Sequence, residues 1–209
     1  MTFTLRIPSP TGDQIVSLDA GTSVVFVGAN GSGKTRLAVF LEDQHALTAH
    51  RISAHRALTL NSRACKIGEE EALFGLRTGN AARTARPQHR ASHRWSNSPA
   101  VALLNDYAFV IQALFAEQSN KALETHRKNR AGDHTPAEPT KLERLVEIWE
   151  NLLPHRSLHV SGDSLEVSQT GSAERYLASE LSAGERAVFY LIGQTLALKT
   201  GSLLIFDEP

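Results

Sequence analysis

The segment Gly28 to Thr35 has the residue types and spacing of a phosphate-binding loop. It reads GANGSGKT and fits the pattern G-x-x-x-x-G-K-[S/T] in full. Glycines let successive backbone N–H groups turn towards a phosphate, and a following helix adds about half a unit of positive charge at its start. We predict that Lys34 contacts the β- and γ-phosphates and that the Thr35 hydroxyl ligates Mg²⁺. The predicted nucleotide-binding residues are Gly28, Ala29, Asn30, Gly31, Ser32, Gly33, Lys34, Thr35 and Arg36.

A second acidic motif lies at the other end of the chain. Residues 203–208 read LLIFDE, an apolar strand followed by two acids, which is the expected partner of a phosphate loop. Asp207 would hold Mg²⁺ through water, and Glu208 would orient and deprotonate an attacking water. The alternative is a strand followed by an exposed acidic turn. The prediction is ATP with Mg²⁺, catalytic roles for Lys34 and Glu208, and Thr35 and Asp207 as metal ligands.

The segment LSAGER at 181–186 links these two motifs. Ser182 and Glu185 are placed to cap a helix start. The segment also resembles the signature loop of ABC-type ATPases, of the form LSGGQ or LSxGE, which precedes the helix leading to the acidic strand. Ser182 lies 25 residues before Asp207, as in that family. The resemblance implies that Ser182 and Gly184 contact the γ-phosphate held by the opposite subunit of an ATP-dependent homodimer.

Two features resemble the SMC, RecF and OLD-like branch, which includes defence-associated AAA-family ATPases. They are Glu185 in the signature and the segment from Ser53 to Arg56 (SAHR) after a predicted strand. This implies ATP hydrolysis coupled to nucleic-acid processing or anti-phage defence, with a possible effector protein as partner. Arg56 is either a phosphate contact or a surface arginine. Gln88 and Gln112 both remain candidates for the family's glutamine loop.

Two other functions stay open at this point. One is the ATPase subunit of a transporter, which would need a surface for a membrane partner. The other is a non-hydrolysing, ATP-dependent sensor or scaffold that recruits an effector.

Residues 72–105 contain no Asp or Glu, although they are rich in Arg and His. Such a stretch could bind the phosphate backbone of a nucleic acid. The alternative is a loop whose charges are balanced by acids from elsewhere in the fold. The candidate nucleic-acid contacts are Arg77, Arg83, Arg86, Arg90 and Arg94.

Apolar periodicity predicts an α/β fold, and the resemblance implies that it is a phosphate-loop domain of the ABC-ATPase type. We expect a mixed or parallel central sheet, N-terminal antiparallel strands and a helical insertion. The parts would be 1–59 (strands and phosphate loop), 60–155 (basic loop and helices) and 156–209 (signature helix and acidic strand). Predicted strands are 2–7, 14–18, 23–27 (buried on both faces), 51–54, 158–160, 165–167 and 203–206. Predicted helices are 33–47, 69–76, 100–123, 140–153 and 183–199, with a polar linker at 125–139.

Composition excludes several classes. The 209 residues carry 22 Lys and Arg against 22 Asp and Glu, so overall charge favours neither nucleic acid nor membrane. The single Cys65 allows no intrachain disulfide, and the nine histidines lack zinc-site spacing. Without a membrane-spanning run or a signal peptide, we expect a cytoplasmic protein.

The resemblance also predicts what is missing after Pro209. In ABC-type ATPases further strands and a switch histidine follow the acidic strand. We therefore expect a sheet without its later strands, uncovered apolar surface, and ATP binding with little turnover in this chain.

Overall fold

A computed structural model describes residues 1–53, 55–63, 65–82, 84 and 86–207, without the side chain of residue 87. Predictions for Ala54, Arg83 and Glu208 lie outside the described residues. The chain is mixed α/β, and its described strands form three small sheets. The antiparallel pair is β1 (Thr2–Ile7) and β2 (Gln14–Asp19), and the parallel pair is β3 (Ala49–Ile52) and β7 (Leu203–Phe206). The antiparallel three-stranded sheet is β4 (Arg156–Val160), β5 (Leu165–Gln169) and β6 (Arg175–Leu177).

Helices form in the predicted ATPase-core segments and also in the predicted insertion. They are α1 (Lys34–His45), α2 (Glu69–Thr78), α3 (Tyr107–Arg130), α4 (Lys141–Leu152) and α5 (Ala183–Ala197). A π-helical turn spans Arg90–Arg94. Helices α4 and α5 begin where the sequence predicts, because Thr140 and Ser182 each form a reciprocal capping box with the glutamate three residues later.

The larger apolar core joins all three predicted parts of the chain. Ile52 comes from the first, Leu114 and Trp149 from the second, and Leu158 and Phe189 from the third. A smaller apolar core lies between α1, the β1–β2 pair and the β3–β7 pair. It includes Phe3, Leu5, Leu41, Ala49 and Leu203. The helices of residues 60–155 therefore pack against elements of residues 156–209, the part of the chain that also contains the acidic strand β7. The division at 59 and 155 stays a prediction.

The prediction of a buried strand at 23–27 is wrong for this chain. The segment pairs with no other described strand, and the side chains of Val25 and Val27 are 80% and 92% exposed. A run of β-branched apolar residues forms a buried strand only where neighbouring strands complete its hydrogen bonds and cover its faces. None of the described elements supplies such a neighbour, so the segment leaves apolar surface uncovered.

Helix α3 differs from prediction at both ends. It begins at Tyr107, after turns at 98–101, and continues to Arg130 through residues expected to form a linker. Glu124 and Lys128, four residues apart, form an ion pair of 2.7 Å on the extension. Arg127, Lys128 and Arg130 in the last turn also suit the negative end of the helix dipole. Local charge spacing thus keeps a polar segment helical.

Candidate nucleotide-binding site

The predicted phosphate loop forms an exposed turn that leads directly into α1. Gly31 and Gly33 have φ of +79° and +91°, in the left-handed region that glycine adopts without strain. Gly33 is the N-cap, and no side chain caps the first turn of α1. The N–H groups at this helix start are therefore left for an outside acceptor such as a phosphate.

The Lys34 ammonium lies over the loop that precedes it. Its Nζ donates to the carbonyl oxygens of Gly28 at 2.9 Å and Ala29 at 3.0 Å. The same side chain can turn from these carbonyls to phosphate oxygens, because both partners are neutral acceptors and a phosphate is the stronger one. Arg36, also predicted to contact nucleotide, is exposed on α1.

Thr35 and Asp207 lie 172 residues apart in the sequence but meet in the structure. The Thr35 hydroxyl donates to Asp207 Oδ1 at 3.1 Å. Helix α1 brings the threonine, and β7 brings the aspartate to the carboxyl end of the parallel β3–β7 pair. The backbone N–H of Asp207 donates to Ile52 O at 3.0 Å, which extends this parallel pairing by one residue. The two predicted metal ligands are therefore adjacent.

These two oxygens fit a Mg²⁺ ion in a nucleotide site. Magnesium there needs one or two protein oxygens, since water and phosphate oxygens complete its octahedron. Among the residues that the structure describes, no group of three or more His, Cys, Asp or Glu side chains could hold a metal ion. A hydroxyl beside a single carboxylate is thus a donor set for a metal that arrives with phosphates.

A buried cluster of charges lies directly behind Asp207. Arg51, which is fully buried in β3, places its Nη1 3.3 Å from Asp207 Oδ2 and its Nε 3.2 Å from Glu42 Oε2. Arg94 Nη1 lies 2.6 Å from Glu42 Oε1, and its Nη2 lies 3.6 Å from Asp106 Oδ2. The ion pairs therefore extend from Asp207 through Glu42 and Arg94 to Asp106. We call Glu42, Arg51, Arg90, Arg94, Asp106 and Asp207 the buried ion cluster.

The cluster reaches the helix that follows the signature segment. Tyr190 of α5 donates its hydroxyl hydrogen to Asp106 Oδ1 at 2.6 Å. Burial raises the pKa of Tyr190, and the neighbouring Asp106 charge raises it further, so the phenol stays protonated. A continuous set of polar contacts thus joins Thr35 at the phosphate loop to α5.

Charge in the cluster fixes the ionisation of Glu42 and His50. Burial alone would raise the pKa of Glu42, but Arg94, Arg90 and Arg51 lower it to about 2. Burial lowers the pKa of His50 to about 3, and nearby Arg94 contributes in the same direction. The carboxylate therefore stays charged and the imidazole neutral at physiological pH. His50 Nε2 lies 2.7 Å from Gln194 Oε1 of α5.

The prediction of a nucleic-acid patch is wrong for two of its five arginines. Arg90 and Arg94 are buried in the π-helical turn, where Arg90 donates to the carbonyls of Arg77 and Ala46. Arg77 is half-buried and donates to Leu47 O at 2.7 Å. Arg90 and Arg94 both face the carboxylate of Glu42, which lies outside the acid-free stretch. Arg86 is exposed, and Arg83 lies outside the described residues.

The signature segment forms the exposed start of α5. The Ser182 Oγ accepts from the Glu185 N–H at 3.2 Å, and the Glu185 carboxylate accepts from the Ser182 N–H at 2.8 Å. Arg156 Nε also donates to Glu185 at 2.7 Å. Partial burial raises the pKa of Glu185, but bonds from Ser182 and Arg156 lower it to about 2. A pocket of about 460 Å³ lies beside this turn, with Tyr176 and Glu180 among its lining residues.

In this single chain no described hydrogen bond joins Ser182 or the exposed Gly184 to the phosphate loop. The serine hydroxyl is already engaged by Glu185 within the helix cap.

The other candidates take different positions. Arg56 donates to Ser53 O at 2.8 Å and lies 6.0 Å from the ring centre of Tyr190, so it packs against α5. Gln88 is exposed, whereas Gln112 on α3 has a buried Oε1 without a partner among the described residues. No described hydrogen bond joins either glutamine to the described residues of the loop. Cys65 is a free, exposed thiol.

Sequence reasoning missed Arg51 and Glu42, the two residues that join the site to its surroundings. The available signal was an arginine inside a short strand, AHRI, every residue of which is buried. A fully buried arginine requires a carboxylate partner. The sequence does not say which acid supplies it.

Comparisons with known proteins provide no family assignment. No protein-family model matches the chain, and no significant match was found among curated proteins or solved structures. Among the described residues, no helix is both long and apolar enough to cross a membrane.

Proposed function

We propose that this chain binds ATP with Mg²⁺ as the nucleotide-binding part of an ABC-type ATPase related to the SMC, RecF and OLD-like group. The observation that carries the proposal is the 3.1 Å contact between Thr35 and Asp207. A chance match to the phosphate-loop pattern would not place its last residue beside an aspartate that follows an apolar strand 172 residues away. The exposed, uncapped start of α1 supports the same proposal.

Each residue has a defined part in this function. The loop N–H groups and Lys34 hold the phosphates, while Thr35 and Asp207 hold Mg²⁺, which neutralises phosphate charge when bound. Glu208, which lies outside the described residues, keeps its role as the base for water from the resemblance alone. We also propose that ATP is hydrolysed, and that hydrolysis is linked to nucleic-acid processing or defence through an effector.

Direct nucleotide binding tests the proposal. Calorimetric titration of ATP with Mg²⁺ should give saturable binding, and Lys34→Ala should weaken it at least about tenfold, because a charge-assisted phosphate contact is lost. The matched control is Lys66→Ala, which removes an exposed lysine far along the chain from the loop. Absence of saturable binding by the folded wild-type chain would contradict the proposal.

We further propose that ATP holds two copies together, with Ser182 and Gly184 of each facing the nucleotide of the other. Support comes from the exposed helix start at Ser182. Arg156 also partly neutralises Glu185, which would otherwise repel a phosphate. Light scattering should show a dimer only with ATP and Mg²⁺, and Lys34→Ala should remain monomeric under the same conditions.

A further inference from the structure

Asp207 is held by a different partner at each carboxylate oxygen. Its Oδ1 accepts from Thr35 at 3.1 Å, and its Oδ2 lies 3.3 Å from Arg51 Nη1. The backbone N–H of Asp207 is fixed to Ile52 O, so the backbone from which the side chain projects is also fixed. The Oδ1 atom of the carboxylate therefore faces Thr35, and the Oδ2 atom faces Arg51 of the buried ion cluster.

Arg51 is itself held at all three guanidinium nitrogens. Its Nε donates to Glu42 at 3.2 Å, its Nη2 to Pro99 O at 2.7 Å, and its Nη1 to Asp207. The side chain is fully buried, and a planar guanidinium cannot rotate about one of these bonds without breaking the others. Arg51 thus offers Asp207 a fixed donor.

The neighbouring arginines do not share this position. Arg90 and Arg94 also face Glu42, at 3.9 Å and 2.6 Å, but among the described contacts neither one touches Asp207. Removal of Arg90 would therefore perturb the same buried carboxylate, Glu42, and leave the contact to Asp207 in place. A comparison of Arg51 variants with Arg90 variants therefore separates an effect on the buried ion cluster from an effect on the metal site.

We propose that Arg51 is the positioning residue of the metal site. It fixes Asp207 so that Oδ1 lies beside the Thr35 hydroxyl, and it thereby sets the Mg²⁺-dependent part of nucleotide binding. The inference rests on the proposed function. Residues that orient a metal ligand typically change metal affinity 10- to 100-fold when they are replaced.

The test compares ATP dissociation constants measured with Mg²⁺ and with EDTA. Arg51→Met should reduce the Mg²⁺ enhancement of ATP affinity by roughly 10- to 100-fold and leave the EDTA value within about twofold. Arg51→Lys, which keeps the charge but loses the three-way bonding, should lie between Arg51→Met and the wild type. Arg90→Met should keep the wild-type ratio of the dissociation constant in EDTA to the dissociation constant with Mg²⁺.

A second comparison keeps the test valid if Arg51→Met does not fold. Arg51→Lys should still lower the ratio at least about threefold in the wild-type background. It should cause no further loss when combined with Asp207→Asn, because Arg51 acts through that carboxylate. An additive loss in the double variant, or an unchanged ratio in both Arg51 variants, would overturn the inference.

The two proposals fail in different ways. A folded wild-type chain that binds no ATP under either condition contradicts the proposed function, and the role of Arg51 falls with it. ATP binding with a normal Mg²⁺ enhancement in Arg51→Met and Arg51→Lys contradicts only the role of Arg51.

Discussion

Two stretches of this chain are predicted from sequence to bind phosphate, and the structure treats them in opposite ways. The loop at 28–35 is mostly exposed, and its helix start has no capping side chain. In the acid-free stretch at 72–105, Arg90 and Arg94 are buried against Glu42 and main-chain carbonyls. The backbone N–H groups at the helix start of the first region remain open to an outside anion, whereas Arg90 and Arg94 of the second region already donate inside the fold.

The difference teaches that a run of cations does not indicate which anion it faces. Arg90 and Arg94 face the Glu42 carboxylate on α1, far away in the sequence, and Arg94 also faces Asp106. Arg51, Arg90 and Arg94 balance Glu42, Asp106 and Asp207 by number, so the buried ion cluster carries no net formal charge. Such a cluster stabilises the fold only when every charge keeps its partner.

Removal of the central carboxylate should give the largest effect. Glu42→Gln leaves three buried arginines with less counter-charge, so we expect the free energy of unfolding to fall by about 3–5 kcal/mol. Denaturant unfolding followed by circular dichroism measures this change. Glu150→Gln, an exposed carboxylate on α4, is the control and should change stability by less than about 0.5 kcal/mol. A loss below about 1 kcal/mol in Glu42→Gln would contradict a dry, coupled cluster.

Acid should destabilise the fold through His50, which lies close to Arg94 and Glu42 of the buried ion cluster. The pKa of His50 is lowered from 6.5 to about 3, so between these values the unfolded chain binds a proton that the folded chain does not. Stability therefore falls as pH falls, by about 2 kcal/mol between pH 7 and pH 5 from this group alone. Glu42, with its pKa lowered to about 2, adds its own loss only below about pH 5.

Replacement of His50 isolates the contribution of its imidazole to the pH dependence of stability. His50→Gln should remove most of the slope of stability against pH between pH 7 and pH 5. His134→Gln, at an exposed histidine, should keep the wild-type slope. Unfolding free energies at several pH values measure both, and an unchanged slope in His50→Gln would show that burial does not lower the pKa of this imidazole.

Local chemistry made much of the architecture predictable. The capping boxes at Thr140 and Ser182 fix the starts of α4 and α5, and the glycines of the loop fix the turn into α1. These features depend on residues within a few positions of one another. The juxtaposition of Thr35 and Asp207 was also predictable, because a phosphate loop and an acidic strand require each other chemically.

Other features that depend on distant partners were not predictable. Arg51 and Asp207 are 156 residues apart, and Arg94 and Glu42 are 52 apart. No periodicity in the sequence connects them. The segment at 23–27 illustrates the same limit, since its apolar β-branched residues predict a strand but pairing depends on which strands lie beside it. Long-range pairing decided both the burial of the arginines and the exposure of these valines.

The smallest expected effect lies in the phosphate loop and concerns backbone strain alone. Gly33 has φ +91°, and a Cβ added there would meet no atom within 4 Å. Gly33→Ala should therefore lower the free energy of unfolding, measured without nucleotide, by about 1 kcal/mol from the left-handed conformation. Gly162→Ala is the matched control, because Gly162 also has open space and lacks a positive φ, so the same substitution should cost nothing. A loss of 3–5 kcal/mol in Gly33→Ala, like that expected for Glu42→Gln, would show a loop packed as tightly as the cluster and would remove the contrast between the two regions.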